Sequence, residues 1–260
     1  MRTCIFIDCG GGEFFENGAN LLVSFYKETI QKYNLDMEVY TYQSIDGIKF
    51  IVDEENHKIY VPCGQTEWAK KLFSVFSYIQ KSINCEYVVK TNTSTVLNLV
   101  QLDKFTKSEI VTSSPKWWYP YDMIIFSTQM PVLVGCFWLF HKSMITDVFN
   151  NLGNFYGAER IDNVDDLIIS YGTDELGMPR QTIPENMFID LWGTFFDNFS
   201  NFSDIDRIKN AMVYVIRMHI DIDKYTLEFE RYMRNKFEPT TMKFLFRMIN
   251  EFNEQTNYIY

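Results

Sequence analysis

Two short stretches hold the side chains best placed to do chemistry. Residues 87–99 read YVVKTNTSTVLNL, an apolar strand running into a polar knot, Lys90-Thr91-Asn92-Thr93-Ser94-Thr95. Polar groups at the end of a buried strand mark a ligand site in α/β proteins. Amides and hydroxyls such as Asn92 and Ser94 can hydrogen-bond a ribose or another sugar, but without carboxylates they are poor ligands for a hard divalent cation. The second stretch is Asp8-Cys9-Gly10-Gly11-Gly12, directly after the apolar run CIFI. Its glycines suggest a nucleotide, yet the dinucleotide fingerprint needs glycine at the position of Phe15, and a tight turn accounts for them equally well. His57, His141 and His219 show no metal-ligand spacing. No GxSxG elbow or Cys/His signature for nucleophilic catalysis is present. The pairs Asp165-Asp166 and Asp174-Glu175 sit in a polar stretch and read as solvated surface.

The elements that must position these residues follow from periodicity. CIFI (4–7) is a strand. A helix is expected over 17–33, with Leu21, Leu22, Phe25 and Ile30 at helical spacing. Residues 37–42 alternate like a strand, and 45–62 hold two short strands around DEENHK. A helix over 66–83 places Trp68, Leu72, Val75, Phe76 and Ile79 on one face, with Thr66 in the cap position. YVVK is the next strand. This alternation implies a mostly parallel sheet covered by helices, with both polar stretches at carboxyl ends of strands. They converge if the strands at 4–7 and 87–90 are neighbours. Beyond them, MIIFST and VLVGCFWLF read as strands near a Trp-Trp-Tyr-Pro loop, and 155–184 as a polar loop. A helix is expected to start at Pro184 or Glu185, and two helices divided at Pro239 are expected over 223–255.

The chain has 260 residues, 47% of them hydrophobic, enough for a full core. The expected fold class is α/β: a single Rossmann-like domain over 1–222 with a mostly parallel sheet, and a helical extension over 223–260 packed on it. The formal net charge of −10 argues against nucleic acid as a partner. Five cysteines form no CxxC pair, and no signal peptide is visible, so free thiols in a reducing cytoplasm are expected. No segment reaches the ~18 apolar residues of a membrane span. Residues 224–247 carry six cations against three carboxylates. Interleaved with Phe, Leu and Met, they suit either a helix lying on a membrane surface or an ordinary solvated face.

Three segments in order resemble the β-1,3-galactosyltransferase/fringe type of GT-A glycosyltransferase. The stretch EWAKKLFSVFSYIQKSINCEYVVKTNTSTVLNL resembles that family's helix and the strand bearing its Asp-x-Asp motif. Lys90, Thr91, Asn98 and Leu99 fall in register, and Lys70 falls on the family's helix lysine. KWWYP with MPVLVGCFWLFHKSM resembles its Tyr-Pro segment, with Gly135 at the glycine position. PENMFIDLW (184–192) resembles its Pro-Glu-Asp helix start. The likeness spans about 60–195.

The resemblance implies a transferase moving a sugar from a nucleotide donor, by family a UDP-sugar, to a hydroxyl of a glycan or lipid-linked acceptor. The implied setting is synthesis of a surface polysaccharide or glycoconjugate, in the cytoplasm or at the cytoplasmic membrane face, the latter through 224–247. Inversion of the anomeric centre with a carboxylate base is also implied. Asp8, Gly10, Gly11, Lys70, Lys90, Asn92, Ser94, Gly135 and Asn186 would then bind the nucleotide sugar. In the family the Asp-x-Asp carboxylates hold Mn²⁺ or Mg²⁺; here those positions are Asn92, Thr93 and Ser94. The family's catalytic Asp is Asn186, leaving Glu185 or Asp190 as base. A metal-free version would need cations at the diphosphate, with Lys70, Lys90, Arg180 and Arg217 as candidates. The rival expectation is an inactive GT-A-like domain that binds a nucleotide sugar, a glycan or a protein.

Overall fold

The structure is a computed structural model. It describes residues 1–10, 13–47, 49–64, 67–113, 117–120, 122–125, 130–133, 136–152, 169–170, 173, 177–178, 180–190, 205–216 and 227–257.

Thirteen strands are described: β1 (Thr3–Asp8), β2 (Met37–Ile45), β3 (Ile51–Asp53), β4 (Lys58–Pro62), β5 (Tyr87–Asn92), β6 (Thr95–Leu97), β7 (Trp117–Tyr119), β8 (Asp122–Ile125), β9 (Met130–Leu133), β10 (Phe137–His141), β11 (Gln181–Thr182), β12 (Phe188–Asp190) and β13 (Val213–Val215). The helices are α1 (Glu13–Tyr33), α2 (Trp68–Ser82), α3 (Leu99–Thr106), α4 (Glu109–Ser113), α5 (Lys142–Leu152), α6 (Ile205–Asn210) and α7 (Leu227–Asn257).

An eight-stranded sheet runs β11-β7-β10-β5-β1-β2-β4-β3, with β12-β13-β6 as a second small sheet and β8-β9 as a hairpin. β1 pairs in parallel with both β2 and β5, so the expected neighbours are adjacent, with Asp8 opposite Asn92. A strand buried on both faces must be apolar at consecutive positions, and TCIFID and YVVKTN meet that demand. Their side chains alternate between two cores. Ile5, Ile7 and Val89 pack with α1, α3 and α7, whereas Cys4, Phe6 and Val88 pack with α2 and α5. On α2, Leu72, Val75, Phe76 and Ile79 are all buried, as their spacing requires.

Several sequence expectations change. The α2 cap position falls on Glu67, and Thr66 lies outside the described residues. The apolar run expected as one strand to residue 140 is divided into β9 and β10. No helix starts at Pro184: one 3-10 turn, Glu185–Met187, leads into β12, because Phe188–Asp190 gains a parallel partner in Val213–Val215. The tail is one helix with Pro239 inside it. Proline deletes a helical hydrogen bond and crowds the carbonyl four residues back, yet packing on both sides of the break overrides this. Arg234 and Glu238 pair before it, and Met242, Leu245 and Ile249 enter the α1 core after it. Among the described residues no helix is long and apolar enough to cross a membrane.

Candidate functional site

Asp8 ends β1 at the carboxyl edge of the sheet. Its Oδ1 accepts from the Gly10 amide at 2.8 Å, closing a turn in which Gly10 has φ +58°. A Cβ there would lie 3.1 Å from the Phe15 ring, so this bend favours glycine twice over. The same carboxylate oxygen accepts from the Lys71 ammonium at 2.6 Å, and Lys71 is only 1% exposed. Lys71 also stands 5.7 Å from the centre of the Tyr42 ring. Lys70, the lysine singled out by resemblance, points instead to solvent and pairs with Glu67. Helical spacing carried the signal that tells the two apart, because Lys71 shares the inward stripe with Val75 and Ile79. Beside this pair, burial above all, then the Asp8 charge, pushes the Cys9 thiol up to about 12.

Asn92 stands in register with Asp8 on the neighbouring strand. Its side-chain oxygen accepts from the Ser94 amide at 3.0 Å and the Thr95 hydroxyl at 2.9 Å. This is the turn chemistry for which asparagine is suited. Lys90 is buried on the α2 face of the sheet, 4.3 Å from the Trp138 ring centre, where a desolvated cation gains from the aromatic quadrupole.

Ser94 faces the tail. Its hydroxyl donates to Glu238 Oε2 at 3.3 Å and accepts from Arg234 Nη2 at 3.1 Å, while Arg234 Nε donates to Glu238 Oε1 at 2.7 Å. Arg234 and Glu238 are 9% and 3% exposed, so α7 closes over the knot with a buried ion pair. No local motif marks either residue as part of the site, although their i, i+4 spacing allows the pair. A hard divalent cation takes oxygen ligands, and Mg²⁺ is usually held by one or two carboxylates with substrate phosphates and water. Among the described residues the knot receives one carboxylate, Glu238, which pairs with the Arg234 guanidinium, and no group of three metal-ligating side chains occurs. These residues do not fit Mn²⁺ or Mg²⁺.

Farther along the same edge lies a cavity of about 660 Å³ whose lining includes Trp118, Pro120, Ile183, Glu185, Phe188 and Asp190. β11 runs parallel to β7, which like β5 pairs antiparallel with β10, so Thr182, Tyr119 and Asn92 end at one edge. Three strand steps put β11 about 14 Å from β5. The small sheet makes a second link: Asp190 pairs with Val215, which pairs with Thr95. Two steps separate Asp190 from Thr95 by about 10 Å. The structure thus brings Asp8, Gly10, Asn92 and Ser94 to one edge and Glu185 with Asp190 to one cavity along it. Asn186 is exposed and does not line that cavity. Arg180 immediately precedes β11. Gly11, Gly135, Arg217, His219 and the acid pairs at 165–166 and 174–175 lie outside the described residues.

No family model matches the chain, and no curated protein matches it by sequence. Among solved structures it is similar to a glycosyltransferase involved in the glycosylation of the major capsid of PBCV-1. The identity is 8%, 92% of this chain and 100% of that one are covered, and the TM-score is 0.51. The likeness is one of fold, and that fold is of the GT-A type, with a mostly parallel central sheet flanked by helices. The apo-form glycosyltransferase GlyE of Streptococcus pneumoniae TIGR4 is similar at TM-score 0.46 and 9% identity, covering 98% of this chain and 63% of that one. An active-site mutant of LgtC is similar at TM-score 0.47 and 12% identity, covering 91% and 95%. At those scores neither adds to the assignment.

Proposed function

We propose that the chain is a glycosyltransferase that moves a sugar from a nucleotide-sugar donor to a hydroxyl of a glycan acceptor. One observation carries the reading: a single carboxyl edge of the sheet holds Asp8 and Asn92 side by side and leads to a cavity lined by two carboxylates. Ligands of open α/β sheets sit beyond such edges. The donor would lie over Asp8, Gly10 and Asn92, and the acceptor in the cavity. Glu185 or Asp190 takes the acceptor hydroxyl proton, the oxygen attacks the anomeric carbon, and the nucleoside diphosphate leaves from the opposite face. The likeness to the β-1,3-galactosyltransferase/fringe family favours a UDP-sugar and inversion, in synthesis of a surface polysaccharide or glycoconjugate. A lipid-linked acceptor would suit α7, which exposes Tyr232 and Phe244 among Lys236, Lys243 and Arg247.

A second reading has its own support. The ion pair covers Ser94 in the knot that, by resemblance, matches the family's metal motif, as a domain that binds without catalysis would allow.

The test is a thermal-shift screen of UDP-, GDP-, CMP- and dTDP-sugars in EDTA and in Mn²⁺, followed by a transfer assay with the donor found. Binding to the native state raises Tm by mass action. A shift with one nucleotide sugar and turnover to a hydroxyl acceptor is the expected result. A shift without turnover favours the binding domain, and no shift at millimolar ligand removes the donor site.

A further inference from the structure

We infer that a monovalent alkali cation, sodium or potassium, binds between α1, the Asn92–Ser94 knot and α7, held by oxygens of Thr93, Asn235 and Glu238. It stands apart from the glycosyltransferase reading and does not depend on it.

The place is a cavity of about 80 Å³ whose lining includes Asn17, Gly18, Thr93, Asn235, Glu238 and Pro239. Two oxygens there lack their usual partners. Thr93 is 4% exposed, yet its hydroxyl has no hydrogen-bond partner among the described residues. A hydroxyl buried in this state is costly unless a ligand meets it. The second oxygen is the backbone carbonyl of Asn235. In a helix it would accept from the amide four residues on, but that residue is Pro239, which has no N–H. The next two carbonyls, of Lys236 and Phe237, receive the hydroxyls of Thr240 and Thr241. Among the described residues no side chain donates to the Asn235 carbonyl in the same way.

Glu238 adds a carboxylate to the lining. Its bonds to Arg234 and Ser94 fix its position, and carboxylate oxygens have lone pairs enough to serve a further partner. Gly18 keeps the space open. A Cβ on it would stand 3.4 Å from the Thr93 Cβ and 3.8 Å from the Thr93 carbonyl oxygen.

The lining selects the ion. It offers oxygens and, among the described residues, no cationic side chain, so it holds nothing for an anion. Hydroxyl and carbonyl oxygens replace the hydration shell of a singly charged ion, whereas Mg²⁺ dehydrates reluctantly and demands near-ideal octahedral geometry. At about 30 Å³ per water, the cavity admits an ion with one or two waters. Bound there, the ion ties α7 to α1 across the knot.

Thermal denaturation of the full chain at fixed ionic strength, in sodium, potassium or choline chloride, tests this. Binding to the native state raises Tm by mass action. Wild type is expected to show a saturable rise with sodium or potassium over choline. Thr93→Val trades the hydroxyl for a methyl, and Pro239→Ala gives the Asn235 carbonyl its donor back. Each should need at least tenfold more of the ion for the same rise. Sodium nuclear magnetic resonance reads the site directly: wild type should broaden the line, and both variants should broaden it less. Circular dichroism confirms folding, and if one variant fails to fold the other decides. Equal Tm in all three salts overturns the inference and leaves water as the occupant. A rise that both variants keep unchanged overturns it too.

Discussion

The Lys71 ammonium meets the Asp8 carboxylate at 2.6 Å across the α2–β1 contact, and the lysine is buried while its neighbour Lys70 is exposed. Removing one partner of a buried pair strands the other. Lys71→Met should therefore cost about 3 kcal/mol, and adding Asp8→Asn should recover much of it. Lys70→Met should stay within about 0.5 kcal/mol. Urea denaturation of the four proteins decides; equal effects at 70 and 71 would contradict the placement.

The two-sided sheet was legible in the sequence because CIFI and YVVK are too apolar to face water on either side. The α2 stripe was equally legible. The convergence of Asp8 and Asn92 followed once their strands were neighbours. What could not be read was long-range closure. Glu238 and Ser94 share no local pattern, and nothing local announces that β12 forms where a helix was expected, since its partner lies at Val213–Val215. Pro239 misled for the same reason: a local rule for breaking helices yielded to packing supplied by distant residues.

Asn92 spends its side-chain oxygen on two hydrogen bonds that close the knot. Asn92→Ala should cost about 1–2 kcal/mol, while Asn92→Asp, which keeps an acceptor in place, should cost less than half of that. Chemical denaturation reads both. A neutral Asn92→Ala would mean that the turn holds without its side chain.

Alkaline stability follows from the buried acids. Burial holds the Cys9 thiol up to about 12 from 9.0, and raises the phenols of Tyr26 and Tyr214 as well. The unfolded chain then loses these protons before the folded one does. Stability is full below about pH 9 and falls as pH rises toward 12, by about 1.4 kcal/mol per unit for each group in its window. Denaturation midpoints from pH 8 to 11 should decline, and Cys9→Ala should make the decline shallower. A flat profile would rule out the protonated, buried state of these groups.

Glu185 and Asp190 line one cavity, and one of them should act as general base in the proposed transfer. Glu185→Gln or Asp190→Asn should lower kcat about 10²–10⁴-fold with donor Kd unchanged. Steady-state kinetics beside donor titration separates the two effects. If both variants keep full turnover, the base lies elsewhere.

Ile249 is buried where α7 meets the α1 core. Ile249→Ala should cost about 2–5 kcal/mol, the scale of a deleted core side chain, if the 223–260 segment is integral to the domain. Loss of tail helicity with the rest of the fold unchanged would instead mark it as an independent appendage.

Phe25 and Phe246 stack with ring centres 4.1 Å apart. During synthesis α1 is made well before α7, so Phe25 waits for a ring that comes much later in the chain, whereas Tyr26 already meets Thr95 and Leu97. Contacts between such distant residues carry a high loop-closure entropy and form slowly. Until then the half-built domain shows an open hydrophobic face, the condition under which nascent chains recruit chaperones or aggregate. The helix that closes the knot thus also covers the face that would otherwise leave the folding intermediate exposed.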